Sequence, residues 1–159
     1  MNQTLTGEHA LIAGKCLSKI LELGHTAKIL PDISIGPIVT VYRFLPVGKT
    51  KVSHLESLSA DFAVTLGVED VLVKRLPGES AVAVFIPNKE RKFIDFKETV
   101  SLAYKLHIEK RAEIPLCLIN HLGHPFYEDI TTLPHLLIAG STGSGKSTLV
   151  TSLIAQIIY

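Results

Sequence analysis

The sequence predicts an α/β fold: a small α+β subdomain followed by the beginning of a P-loop domain. Apolar residues recur at helical intervals over 7–23 and again over 55–66, and two β-rich runs flank a Pro-Gly turn at 76–80. A short apolar run, 136–139, then feeds a glycine-rich loop and a further apolar helix pattern. The 159 residues, 47% of them hydrophobic, leave room for one ordinary domain or two small ones and exclude disorder as the main state.

The first helix is expected from Gly7 to Leu23, with Ala10, Leu11, Ala13, Leu17, Ile20 and Leu21 spaced by threes and fours, and Gly24 ends it. After a bridge with Pro31 and the Gly36-Pro37 break, Ile38 to Phe44 reads as a strand. Ser53-His54-Leu55-Glu56 has capping-box spacing, and Leu55, Leu58, Phe62, Ala63 and Leu66 make one face of the second helix, which stops at Gly67. Val71 to Lys74 and Ala81 to Ile86 form a hairpin around Leu76-Pro77-Gly78-Glu79-Ser80. Arg91 to Phe96 adds a short strand and Lys97 to Lys105 a short helix.

Residues 107–115 carry charge without a clear period and read as a linker. Beyond it, Leu116 to Asn120 and Pro125 to Asp129 flank Gly123 as a second hairpin, and the wholly apolar Leu136 to Ala139 reads as a buried strand. The resulting division is an N-terminal helix over 1–29, the subdomain over 30–106, the linker over 107–115 and an incomplete P-loop domain over 116–159.

Gly140-Ser141-Thr142-Gly143-Ser144-Gly145-Lys146-Ser147 fits G-x-x-x-x-G-K-[ST] at every fixed position, between an expected strand and an expected helix, Ser147 to Tyr159. Glycines let the backbone turn its N–H groups onto phosphate oxygens, with the positive end of the helix behind them. Lys146 is placed to reach the β and γ phosphates and Ser147 to join the coordination of Mg²⁺, so ATP and Mg²⁺ are the expected cofactors, held by residues 140–147 together with Thr148. The bland alternative is a Gly/Ser turn that happens to match.

The net charge of +1 lacks the basic excess that by itself points to nucleic acid. Cys16 and Cys117 have neither zinc-site spacing nor the density of a disulfide framework, which favours a reducing cytosol, and Cys16 reads as a core residue. No signal peptide and no run of about 18 apolar residues is present, so a cytoplasmic location is expected. Lys89, Arg91 and Lys92 read as a solvated loop beside Glu90, with DNA-phosphate contact as the alternative. His121 and His124 straddle a turn with no third ligand nearby in sequence, which argues against a metal site.

Pro134-His135-Leu136-Leu137-Ile138-Ala139-Gly140 leading into the loop closely resembles the entry to the phosphate loop in the FtsK/SpoIIIE family of double-stranded DNA translocases. Gly36-Pro37 with the strand through Arg43-Phe44, the Leu58 to Leu66 helix, Leu76-Pro77-Gly78 and Ile86-Pro87-Asn88-Lys89 resemble the α subdomain preceding that family's RecA-like motor domain. The resemblance covers roughly residues 30 to 159. It implies the ATP-binding portion of a cytoplasmic motor, often membrane-anchored through a segment absent here. Such motors assemble as homo-hexameric rings on duplex DNA and pump it in chromosome or plasmid segregation.

Only the phosphate-loop positions carry over from the family. The chain is expected to be the front part of a longer protein or a prematurely ended reading frame. Its last helix is apolar on most sides, and a further parallel strand would need a βαβ unit of about 30 residues. No catalytic residue is assigned. The alternative reading is a catalytically inert assembly module of such a ring, and a small P-loop kinase fits poorly because its machinery would follow the loop.

Overall fold

The computed structural model describes all residues except 1, 6, 77, 110–112 and 159. Pro77 of the expected turn, 110–112 of the expected linker and Tyr159 of the last helix therefore lie outside the described residues. The chain divides into two compact units, Met1–Lys92 and Phe93–Tyr159.

The first unit is a six-stranded antiparallel sheet with helices on one face. Its strands are β1 (Asn2–Thr4), β2 (Ala27–Ile29), β3 (Asp32–Ile35), β4 (Val39–Pro46), β5 (Leu72–Arg75) and β6 (Val82–Pro87), ordered β1-β3-β4-β6-β5 with β2 also on β4. One edge of β4 is shared: β3 pairs with its first half through Ser34↔Val41, and β2 with its second through Ile29↔Phe44. The other edge pairs with β6, and the register Tyr42↔Val84 and Phe44↔Val82 sets these four side chains on one face. Helices α1 (Gly7–Glu22), α2 (Val52–Glu56) and α3 (Ser59–Leu66) contribute Ala13, Cys16, Ile20, Leu55, Leu58, Phe62 and Ala63 to the core built on that face.

In α1 the buried stripe is Ala13, Cys16 and Ile20, while Leu11 and Leu21, expected in the apolar face, are exposed. Gly24, at φ 78, closes the helix with its N–H on Leu21 O and His25 N–H on Ile20 O. Cys16 is fully buried, and burial pushes its thiol up to about 12. Tyr42 is raised for the same reason, with Cys16 and Glu8 adding to it, and its hydroxyl lies 2.7 Å from His9 Nδ1.

The expected capping box at Ser53 is not formed. The helix starts earlier, with Lys51 as its N-cap and Lys51 N–H donating to His54 Nδ1 at 3.3 Å. Glu56, instead of capping, accepts from Arg75 N–H on β5 at 3.1 Å. One helix over 55–66 is in fact two. Ser57 Oγ donates to His54 O and Leu58 N–H bonds Leu55 O, so side-chain competition and a tighter i−3 bond interrupt the ladder.

The second unit contains α4 (Phe96–Ile108), β7 (Pro115–Ile119), β8 (Pro125–Asp129), a 3-10 turn (Ile130–Thr132) and α5 (Lys146–Ile158). β7 and β8 form the expected hairpin, with Cys117↔Tyr127 at its centre. The strand expected over Arg91 to Phe96 is absent: 91–95 are irregular and Phe96 opens α4. Asp95 is the N-cap, its carboxylate accepting from Lys97 N–H at 3.0 Å, and Glu98 three positions on completes a helix-start pattern that outweighs the short Phe93-Ile94 run. The helix extends past Lys105 into the segment expected as a linker.

The strand expected over Leu136 to Ala139 is not formed either. These residues join no sheet among the described residues, because β7 and β8 pair only with each other, and Leu137 is 89% exposed. A parallel strand exists only through its neighbours' hydrogen bonds, so apolar composition alone does not make one.

Candidate functional site

Residues 140–145 form an exposed turn that passes directly into α5, one residue earlier than expected, at Lys146. Ser144 N–H bonds Ser141 O at 3.2 Å to close the turn, and Leu149 N–H bonds Gly145 O at 2.9 Å as the helix begins. The first turn of α5 leaves the N–H groups of Lys146, Ser147 and Thr148 without acceptors inside the helix, and the peptide dipoles add positive potential there. Ser147 and Thr148 are exposed.

The glycines have separate reasons. Gly143 and Gly145 sit at φ 80 and φ 90, where an L side chain is strained. At Gly140 a Cβ would lie 2.6 Å from Ser144 Oγ, so the serine hydroxyl would have to turn aside to admit one. The half-buried Lys146 folds back over the loop, its Nζ donating to Gly140 O at 2.8 Å and Ser141 O at 2.6 Å. The ammonium is thereby stationed across the loop mouth on two carbonyls, which an anionic ligand would replace as its partner.

No carboxylate occurs from residue 130 to 159, and the charged side chain there is Lys146. The nearest acid before it, Asp129, is committed elsewhere. Its oxygens accept from Glu113 N–H at 2.7 Å, Thr131 Oγ1 at 2.8 Å, Thr131 N–H at 3.0 Å and Ile114 N–H at 3.2 Å. The Glu113 peptide bond first, then the Thr131 hydroxyl, hold its carboxyl down to about 2. The loop environment is therefore suited to a polyanion and to an added cation: backbone donors, one lysine, and the Ser147 hydroxyl at the helix start.

Behind the loop, α5 is fixed to β7 by Gln156, whose Oε1 accepts from Cys117 N–H at 2.8 Å and whose Nε2 donates to Cys117 O at 3.1 Å. Sequence reading missed this residue, although a lone amide among Leu153, Ile154, Ile157 and Ile158 was a signal. Leu153 is buried against the unit, while Val150, Ile154, Ile157 and Ile158 are exposed.

Lys89 pairs with Glu8 at 3.3 Å on the first unit, with 86% of its side chain exposed, and Lys92 N–H bonds Pro37 O. His121 and His124 lie at the β7–β8 turn, where His124 N–H donates to Asn120 Oδ1, and no group of three metal-ligating side chains forms among the described residues. Nor is any described helix long and apolar enough to cross a membrane.

Comparison with known proteins locates both parts of the chain. Residues 6–88 match the FtsK alpha domain, and residues 105–159 match the FtsK/SpoIIIE family. The chain is 34% identical over 148 residues to the DNA translocase FtsK of Rickettsia prowazekii, covering 92% of this chain and 20% of that protein. It is 36% identical over 143 residues to the DNA translocase FtsK of Pseudomonas putida, covering 89% of this chain and 17% of the relative. For the DNA translocase FtsK of Treponema pallidum the identity is 40% over 132 residues, 82% of this chain and 16% of the relative. The chain thus spans about a fifth or less of the length of the curated relatives it matches. An alpha-domain match over more than half the chain, followed by a match to the FtsK/SpoIIIE family over residues 105–159, places this protein in the FtsK/SpoIIIE family.

Proposed function

We propose that residues 140–148 bind the phosphates of ATP with Mg²⁺, as the nucleotide-binding part of a motor that translocates double-stranded DNA. The observation that carries this is the loop geometry: left-handed Gly143 and Gly145 turn the backbone into the start of α5, with Lys146 across the mouth. Backbone N–H groups of 143–148 would hold the phosphate oxygens. Lys146 would exchange its two carbonyl partners for the β and γ phosphates, and Ser147 Oγ would be the protein's ligand to the metal. Mg²⁺, when bound, neutralises charge across the β and γ phosphates.

Hydrolysis needs further groups to hold the metal and orient water, and residues 130–159 hold no carboxylate for either task. We assign those groups to the remainder of a longer protein of the kind represented by the relatives, acting in a homo-hexameric ring on duplex DNA during chromosome or plasmid segregation. The committed Asp129 also supports the alternative of an inert assembly module, because it leaves this stretch without a catalytic acid.

The test is an equilibrium titration of the chain with Mg²⁺ and ATP beside Lys146→Ala, with phosphate release followed in parallel. Binding that the substitution abolishes, with no turnover in either protein, is expected. Equal binding by both proteins contradicts the loop assignment, and robust turnover lost in the substitution contradicts the division of labour.

A further inference from the structure

We infer that the ring of Phe96 is the stacking platform for the base of the nucleotide, an assignment that rests on the phosphate-loop reading and extends it to the other end of the same ligand. Phe96 is the first residue of α4, positioned by the Asp95 cap and by its own carbonyl, which accepts from Thr99 Oγ1 at 2.7 Å. Although α4 packs within the second unit, Phe96 stays 41% exposed.

The exposed ring walls a cavity beside α5. Its lining is Phe96, Ser147, Thr148, Thr151, Ser152 and Ala155, the flank of the first turns of α5. A nucleotide whose phosphates sit on the N-terminus of α5, with Lys146 at the β and γ end, must lay its ribose and base on protein surface beside that terminus. This cavity shares Ser147 and Thr148 with the phosphate site and ends on an aromatic face.

The chemistry of the lining suits a nucleobase without selecting one. A phenyl face offers stacking area to any base, which makes it tolerant of sequence and identity. Thr151 Oγ1 is already donating to Ser147 O at 2.9 Å, whereas the hydroxyls of Thr148 and Ser152 can each donate or accept at a base edge. No lining residue is a carboxylate, the group that would accept from guanine's N–H donors and reject adenine. The site therefore binds adenine and guanine nucleotides with similar strength, and its affinity comes from the ring.

The experiment titrates the full chain in Mg²⁺ with ATP, GTP and inorganic tripolyphosphate, for the wild type, Phe96→Ala, Phe96→Leu, Phe96→Trp and Lys146→Ala. Phe96→Ala and Phe96→Leu should each weaken ATP and GTP about tenfold while leaving tripolyphosphate unchanged, and Phe96→Trp should retain wild-type affinity. Tripolyphosphate binding also reports that each variant is folded. ATP affinity unchanged in Phe96→Leu, with Lys146→Ala still abolishing it, overturns the base assignment and leaves the loop standing. Equal loss for ATP and tripolyphosphate makes Phe96 a structural residue and likewise overturns it. A wild type that binds neither ligand better than Lys146→Ala overturns the loop reading and this one together.

Discussion

The side chain of Gln156 pairs with the backbone of Cys117 as a neighbouring strand would, one amide accepting at 2.8 Å and donating at 3.1 Å. It joins the C-terminal part of α5 to the middle of β7, where Cys117 is fully buried. Burial, and then Glu98, raise the Cys117 thiol above its ordinary value, so the surroundings of this contact are poorly hydrated. One side chain thus anchors to β7 the end of α5 opposite the loop.

Gln156→Leu should therefore cost more than its modest volume change suggests. It strands two buried backbone groups of Cys117, at about 1–3 kcal/mol for each. Hydrogen exchange at the Cys117 amide should accelerate selectively, by about tenfold or more. Exchange equal to wild type would show that the pairing adds nothing.

Asp129 supplies an acid-side dependence. Its folded-state carboxyl is held at about 2 against an ordinary 3.8, so its stabilising effect is complete above the ordinary value and is lost as pH falls from about 4 toward 2. Asp129→Asn should be less stable than wild type at neutral pH, and the difference should shrink through that window. Thermal unfolding of both proteins from pH 5 to pH 2 checks this; a pH-independent difference would contradict it.

Cys16 behaves in the opposite sense. Its thiol is raised from 9.0 to about 12, so burying it neutral stabilises the fold fully below pH 9 and progressively less as pH rises above that. A thiol reagent at pH 8 should label Cys16 only when denaturant opens the first unit, with residue assignment by mass spectrometry. Rapid labelling of Cys16 in the native protein would contradict its place in the core.

What could be read from the sequence was what nearby residues decide. α1, the β5–β6 and β7–β8 hairpins and the glycine-rich turn that leads into α5 follow from local spacing and turn residues. The short strands β1, β2 and β3 were invisible, because three or four residues acquire strand geometry only by pairing with distant partners such as β4. The same dependence misled the reading of 136–139, which has strand composition and no ladder among the described residues. The Asp95 cap was legible and was passed over in favour of the apolar pair before it. The lone amide of Gln156 stood out in the sequence, but its partner Cys117 and the place of Phe96 beside α5 are tertiary facts that no local pattern encodes.

The central claim, that residues 140–148 are a phosphate site, is tested most directly by following backbone amides while Mg²⁺ and ATP are added to the isotope-labelled chain. The amides of Gly143, Ser144, Gly145, Lys146, Ser147 and Thr148 should shift together along one binding curve, and Lys146→Ala should remove those shifts while leaving the β7–β8 amides in place. Loop amides that stay still while ATP shifts residues elsewhere would contradict the account.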